Sequence, residues 1–206
     1  MILFADRGCP FAHRVLALFD HLGHAPDLRE SMVGEKPTGL EQYSASGAIP
    51  LLVDDDLVLT ESRVMLDHLA EHYSFTDAYP ANQRTRSLHR LSMALVDNFL
   101  APLLFTQEDA YVDSLHLEDV ISTLEAATLS ATPQANLLAM HVAPIWLRFQ
   151  WWLPLHQVTR TIEARRELCD WLDAAVQLDC LQNTQPDPVL HEEDLGRARQ
   201  AGLLPG

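Results

Sequence analysis

Ile2-Leu3-Phe4-Ala5-Asp6-Arg7-Gly8-Cys9-Pro10-Phe11-Ala12-His13-Arg14-Val15 opens the chain, and the fold is read outward from it. Four apolar residues make a short strand, Asp6-Arg7-Gly8 a tight loop, and Cys9 stands where a helix begins. Pro10 suits the first helical position, because its missing N–H would have no intrahelical partner there. A cysteine at such a point faces unpaired backbone N–H groups and the positive end of the helix dipole, and both favour the nucleophilic thiolate. Phe11, Val15, Leu18, Phe19 and Leu22 recur at helical spacing, and Gly23 fits a C-terminal cap.

Downstream, residues 27–31 are a weak strand candidate, and Thr38-Gly39-Leu40-Glu41 fits a capping box before a short helix. Apolar runs at 49–53 and 57–59, split by Asp54-Asp55-Asp56, read as a hairpin. Ser62 is expected to cap a helix whose apolar face is Met65, Leu66, Leu69 and Tyr73. Strand signals then stop. Tyr79-Pro80 marks an aperiodic stretch, and everything after it is helical in pattern. Residues 84–105 place Leu88, Leu91, Leu95 and Phe99 on one face, and 115–130 are amphipathic. Residues 137–153 are apolar nearly all round, as a central buried helix would be, and 161–178 follow before Gln185-Pro186-Asp187-Pro188 breaks the pattern. The expected domains are 1–75, a linker at 76–82, and a helical 83–206.

The chain has 206 residues and a formal net charge of −15, which disfavours nucleic acid as a partner because phosphate binding rests on Lys and Arg. No apolar run reaches the ~18 residues of a membrane span, and no secretory leader is visible. Cys9, Cys169 and Cys180 are spaced as neither a zinc site nor a disulfide framework, so a reducing, cytoplasmic setting is expected. His68-x-x-x-His72, with Asp67 and Glu71, has the spacing of metal ligands on a helix. The sequence offers no third ligand, so it reads as a solvated polar face and no metal is expected. Cys169 reads as a small buried hydrophobe, Cys180 has no assignment, and Glu192-Glu193-Asp194 reads as solvated surface.

A strand-helix-strand-helix-strand-strand-helix order with a cysteine at the first helix is thioredoxin-like, a four-stranded mixed sheet with helices. Joined to an all-α second domain, it resembles the cytosolic glutathione transferase family. Cys9-Pro10-Phe11-Ala12-His13-Arg14 is similar to the active-site motif of the cysteine-type classes, omega and the dehydroascorbate reductases above all. Gly47-Ala48-Ile49-Pro50 resembles the segment whose proline is cis, where the backbone of the preceding residue pairs with the cysteinyl part of glutathione. Glu61-Ser62 resembles the pair that holds the γ-glutamyl group, with the serine at a helix start that suits a carboxylate. Lys36-Pro37 lies fourteen residues before Pro50, where the omega pattern has a lysine for the glycyl carboxylate. Lys36 is the only lysine beside thirteen arginines.

The resemblance thus implies Cys9 as nucleophile and Phe11, Lys36, Ile49, Pro50, Glu61 and Ser62 as glutathione-binding residues. Glutathione would be the co-substrate of a thiol transferase acting on a small-molecule or protein disulfide or electrophile, and the protein a homodimer built on the helices at 84–105 and from Ser62. Ala12 stands where a dithiol motif has its second cysteine, so an external thiol must resolve any mixed disulfide. Glu61-Ser62-Arg63, Tyr79-Pro80 with Arg84 and Arg86, and Ala143-Pro144-Ile145-Trp146-Leu147-Arg148 also resemble stringent starvation protein A. That relative implies a non-enzymatic adaptor for RNA polymerase or another stress partner, although such proteins typically lack the cysteine. A conjugating transferase is a third reading, but those usually rely on Tyr or Ser at the first helix. At 136–139 the family's helix-capping box becomes Asn-Leu-Leu-Ala, in which Ala139 cannot return the second hydrogen bond.

Overall fold

A computed structural model describes every residue except Arg7, 106–111, 129–132, Leu155, 190–191, 194–195, 197–199 and 201–206. Arg7 of the first loop, Ser130 at the end of the expected amphipathic helix and Asp194 of the acidic stretch therefore lie outside the described residues. The chain divides into two compact units, Met1–Phe75 with the described residues from Asp179 on, and Thr76–Leu178.

The first unit is the four-stranded mixed sheet with helices. β1 (Ile2–Asp6) pairs in parallel with β2 (Asp27–Ser31), from Ile2 opposite Asp27 to Asp6 opposite Ser31. A parallel pair needs a crossover, and α1 (Pro10–His21) supplies it. β3 (Leu51–Asp54) runs antiparallel to β1, and the β3–β4 (Leu57–Leu59) hairpin completes the order β2-β1-β3-β4. β1 is interior and its residues are almost all buried, which is why it reads as one apolar run. Leu22 closes α1, and Gly23 takes φ +70°. There Gly23 N–H donates to Asp20 C=O and His24 N–H to Phe19 C=O, a Schellman cap that needs the left-handed residue. α2 (Ser62–His72) buries Met65, Leu66, Leu69 and Ala70.

Two expected caps differ. Glu61, extended at φ −103°, is the cap of α2, and Ser62 is its first helical residue. Ser62 is buried, and its hydroxyl is turned to a partner inside the fold. The short helix at Leu40–Gln42 is 3₁₀ and follows Gly39 at φ +88°, with no side-chain cap, so the Thr38 capping box does not form. Pro37 C=O accepts from Leu40 N–H instead.

The segment from Asp179, expected in the helical domain, groups with the first unit. α8 (Asp179–Asn183) is held to α1 by His13 Nε2 with Leu181 C=O at 3.0 Å and by Asn183 donating to Asp20 at 3.1 Å. These partners lie more than 160 residues apart, beyond the reach of any local pattern.

The second unit is helical: α3 (Gln83–Leu95), α4 (Ser114–Thr128), α5 (Leu137–Trp152), α6 (Gln157–Glu163) and α7 (Arg166–Val176). α3 widens to a π turn over Val96–Leu100 and tightens to 3₁₀ over Ala101–Phe105, where Pro102 has no N–H to donate. Its buried side is His89, Ser92, Met93, Val96 and Leu100, whereas Leu91 and Phe99 of the expected face stay 48% and 41% exposed. The expected helix at 161–178 is broken at Ala164–Arg165, and Arg165 pairs there with Glu118 and Glu125. α5 is buried from Leu137 through Phe149, as its all-round apolarity requires. Asn136 caps it by accepting from Ala139 N–H at 3.0 Å, so the helix start is satisfied without the reciprocal bond. No helix among the described residues is long and apolar enough to cross a membrane.

Candidate active site

Cys9 is the N-cap of α1, with φ −64° and ψ 118°, and Pro10 is the first helical residue. The approach is fixed by Asp6 at the end of β1. Its carbonyl accepts from Cys9 N–H at 3.1 Å, and its carboxylate accepts from the N–H groups of Gly8 at 2.7 Å and Gly34 at 2.8 Å. A buried carboxylate so satisfied sets the loop and leaves the half-buried Cys9 at the tip of the helix. The other thiols differ. Burial, then Asp173, pushes Cys169 up to about 11. Cys169 is half-buried with its sulfur 3.7 Å from Asp173 Oδ2, so it is not the buried hydrophobe expected from sequence. Burial, then Asp20, pushes Cys180 to about 11. Both are protonated near neutral pH and poor nucleophiles.

Ile49–Pro50 is a cis peptide bond. Pro50 is buried, and Ile49 packs against Phe4, Leu40, Leu51 and Val53. Among the described residues, no hydrogen bond engages the backbone N–H or C=O of Ile49. Lys36 is exposed and folds over Gly47 of the same turn: Cε and Cδ lie 2.8 and 3.2 Å from where a Cβ on Gly47 would sit, with Nζ against it too. Gly47 stands at φ +67°, a left-handed backbone conformation that favours glycine. Lys36 forms no ion pair among the described residues, and the exposed Glu61 forms none either.

Phe11 and Ser62 are joined through a residue that the sequence reading gave no role. Arg14 is fully buried; its guanidinium lies 4.9 Å from the Phe11 ring centroid, and Nη1 donates to Ser62 Oγ at 3.2 Å. Its signal was an arginine among the apolar positions of α1, next to Val15 and one turn after Pro10. Arg14 therefore ties the first turns of α1 and α2 to one another.

The expected residues thus fall into three groups: Cys9 on its cap, Lys36 with the Ile49–Pro50 turn, and Phe11–Arg14–Ser62 with Glu61 beside it. A pocket of about 290 Å³ opens at Cys9, lined also by Asp6, His13, Glu30, Asn183 at the end of α8 and residues 184–186 after it. None of the six expected glutathione-binding residues lines it. A further cluster joins His68 and His72 to Asp54, the third ligand-type side chain that the sequence alone did not reveal.

Residues 3–81 match the family model of the glutathione S-transferase N-terminal domain. A stringent starvation protein A homolog of Pasteurella multocida (strain Pm70) is 30% identical over 111 residues, 52% of this chain and 51% of that protein. The chain thus spans about half the length of the curated relatives it matches. Glutathione transferase Omega 2S from Trametes versicolor superposes with a TM-score of 0.74 at 16% identity, covering 98% of this chain and 97% of that one. A glutathione transferase family member from Pseudomonas fluorescens Pf-5, with bound S-(propanoic acid)-glutathione, does so with a TM-score of 0.65 at 18% identity, covering 91% and 100%. The chain has the glutathione transferase fold, a thioredoxin-like unit with a helical one, and its first part carries the sequence match to that family's N-terminal domain.

Proposed function

We propose that the protein is a glutathione-dependent thiol transferase of the cysteine type. The observation that carries the reading is Cys9 at the N-cap of α1, inside the segment that matches the glutathione S-transferase N-terminal domain. The Cys9 thiolate attacks the glutathionyl sulfur of a mixed disulfide. The old S–S bond breaks, the other thiol leaves as thiolate and takes a proton, and Cys9 holds glutathione as a new disulfide. A second glutathione thiolate then attacks that sulfur, releasing glutathione disulfide and the Cys9 thiolate, with Ala12 offering no internal alternative.

Binding follows from groups with hydrogen-bonding capacity to spare. The Ile49 backbone pairs with the cysteinyl part, the Lys36 ammonium holds the glycyl carboxylate, and Glu61 receives the ligand's ammonium. The Ser62 N–H at the start of α2 receives the γ-glutamyl carboxylate, while its hydroxyl is engaged by Arg14. Phe11 and Pro50 line the same ligand, and the pocket at Cys9 admits the leaving thiol. A homodimer suits the exposed Leu91 and Phe99 of the second unit and Val64 of α2. Three free cysteines suit a reducing, cytoplasmic setting.

The test is release of thiol from a mixed disulfide of glutathione and a small thiol. Turnover with a Cys9–glutathione adduct in the intact mass supports the reading; equal turnover by Cys9→Ser removes it. The match to stringent starvation protein A homologs favours a second reading, an adaptor for RNA polymerase or another stress partner. That reading predicts no glutathione binding and no turnover.

A further inference from the structure

We propose that Asp54, His68 and His72 form a binding site for a divalent transition metal of the zinc type, at the end of the sheet remote from Cys9. His68 and His72 stand one turn apart on α2, so their rings share a face. Asp54 is the last residue of β3 and pairs with Leu57 across the hairpin, which fixes its backbone. Asp54 Oδ2 lies 2.9 Å from His68 Nε2 and 3.9 Å from His72 Nδ1, and the three donor atoms are all within 4.8 Å of one another. Zinc–ligand bonds of ~2.0–2.1 Å at tetrahedral angles put donor atoms about 3.3 Å apart. The existing triangle needs only side-chain adjustment to reach that: the 2.9 Å edge opens slightly and the 3.9 Å edge closes.

The donor set is selective. Two imidazoles and a carboxylate suit Zn, Ni or Cu(II), whereas Ca and Mg ask for an all-oxygen shell. Three protein ligands leave a fourth position for water. His68 and Asp54 are a quarter exposed or less, whereas His72 is about half exposed, so an ion reaches the site past His72. Tyr73 holds the His72 ring edge-on at 4.7 Å and is itself stacked on His24 at 4.0 Å, which limits the ring's freedom before any ion binds. The last turn of α2 presents the negative end of its dipole, and the chain's charge of −15 also favours a cation. β3 runs antiparallel to β1, so Asp54 lies beyond Ile2, whereas Cys9 follows the other end of β1. None of the three residues lines the pocket at Cys9. A bound ion would clamp the end of α2 to the β3–β4 hairpin, a site separate from the proposed thiol chemistry.

The test is calorimetric titration of the chelator-treated full chain with Zn²⁺, alone and as the Cys9→Ser, Asp54→Asn and His72→Gln variants. His72→Gln changes the most exposed ligand and leaves the His68–Asp54 hydrogen bond in place, so it keeps the fold. The expected result is one equivalent bound by the wild type and equally by Cys9→Ser. His72→Gln and Asp54→Asn should each weaken binding about 100-fold or more, since even outer-shell changes cost 10–100-fold. No stoichiometric binding by the wild type, unchanged affinity in His72→Gln, or loss of the equivalent in Cys9→Ser would each overturn the proposal.

Discussion

The two units differ in where the polar side chains that matter most stand. In the helical unit, several polar groups that enter the interior pair within the protein. Trp146 donates to Asp173 at 2.7 Å, the fully buried His141 meets Met93 C=O at 3.1 Å and Asp97 at 2.9 Å, and Arg165 draws in Glu118 and Glu125. In the thioredoxin-like unit, the groups that matter stand at helix starts and turns: Cys9 on the cap of α1, Glu61 on that of α2, and Lys36 over Gly47. Paired polar groups in an interior hold a fold together; polar groups at helix starts and turns are placed where a ligand can reach them. Mutations at these helix starts and turns of the first unit should therefore change chemistry at nearly constant stability, and mutations of the paired interior groups of the second the reverse.

The strongest attempt to break that division is Cys9→Ser. It should abolish thiol–disulfide exchange while the melting temperature stays unchanged, read by turnover assay and by thermal unfolding. The complementary variant is Asp173→Ala. It strands the buried Trp146 N–H and should cost about 1–3 kcal/mol of stability in urea unfolding, with glutathione affinity unaffected. Lys36→Ala should weaken glutathione binding by about 1–3 kcal/mol, the scale of a charge-assisted hydrogen bond, and leave unfolding unchanged.

Thiol reactivity sharpens the contrast further. With Cys169 and Cys180 near pKa 11, only ~1 in 1,000 of each is thiolate at pH 8. Peptide mapping after brief alkylation at pH 8 should therefore find the label on Cys9, with the other two labelled fast only above about pH 10. The smallest effect concerns His89. Burial, only partly offset by a hydrogen bond with Ala127, lowers its pKa below 6.5. The folded state then binds fewer protons than the unfolded one. The neutral ring's contribution is full above about pH 6.5 and is lost as pH falls toward the lowered value. His89→Gln should reduce the loss of stability between pH 7.5 and 5.5, measured by urea unfolding at each pH.

What the sequence made legible was local. Strand β1, the Cys9 cap with Pro10 behind it, the Gly23 ending and the apolar α5 each rest on residues within a few positions of one another. What it hid was long-range. Asp54 meets His68 across fourteen positions, Arg14 meets Ser62 across forty-eight, and His13 meets Leu181 across one hundred and sixty-eight. No periodicity encodes such pairs. The errors within α3 have a different cause: Leu91 and Phe99 share a face by spacing, yet the buried side is His89, Ser92, Met93 and Val96. An apolar stripe says that a face will be covered, not by what. Ser62 stands one position inside the helix rather than at its cap, and its hydroxyl meets Arg14, a long-range partner that a local reading cannot see.

The central claim, that the tip residues of the first unit together hold glutathione, is tested most directly by calorimetric titration of the wild-type chain with reduced glutathione. The account predicts saturable binding at one site per chain, with affinity reduced by Lys36→Ala and retained by Cys9→Ser. No detectable binding at millimolar glutathione by a folded wild-type protein would contradict it and leave the adaptor reading in its place.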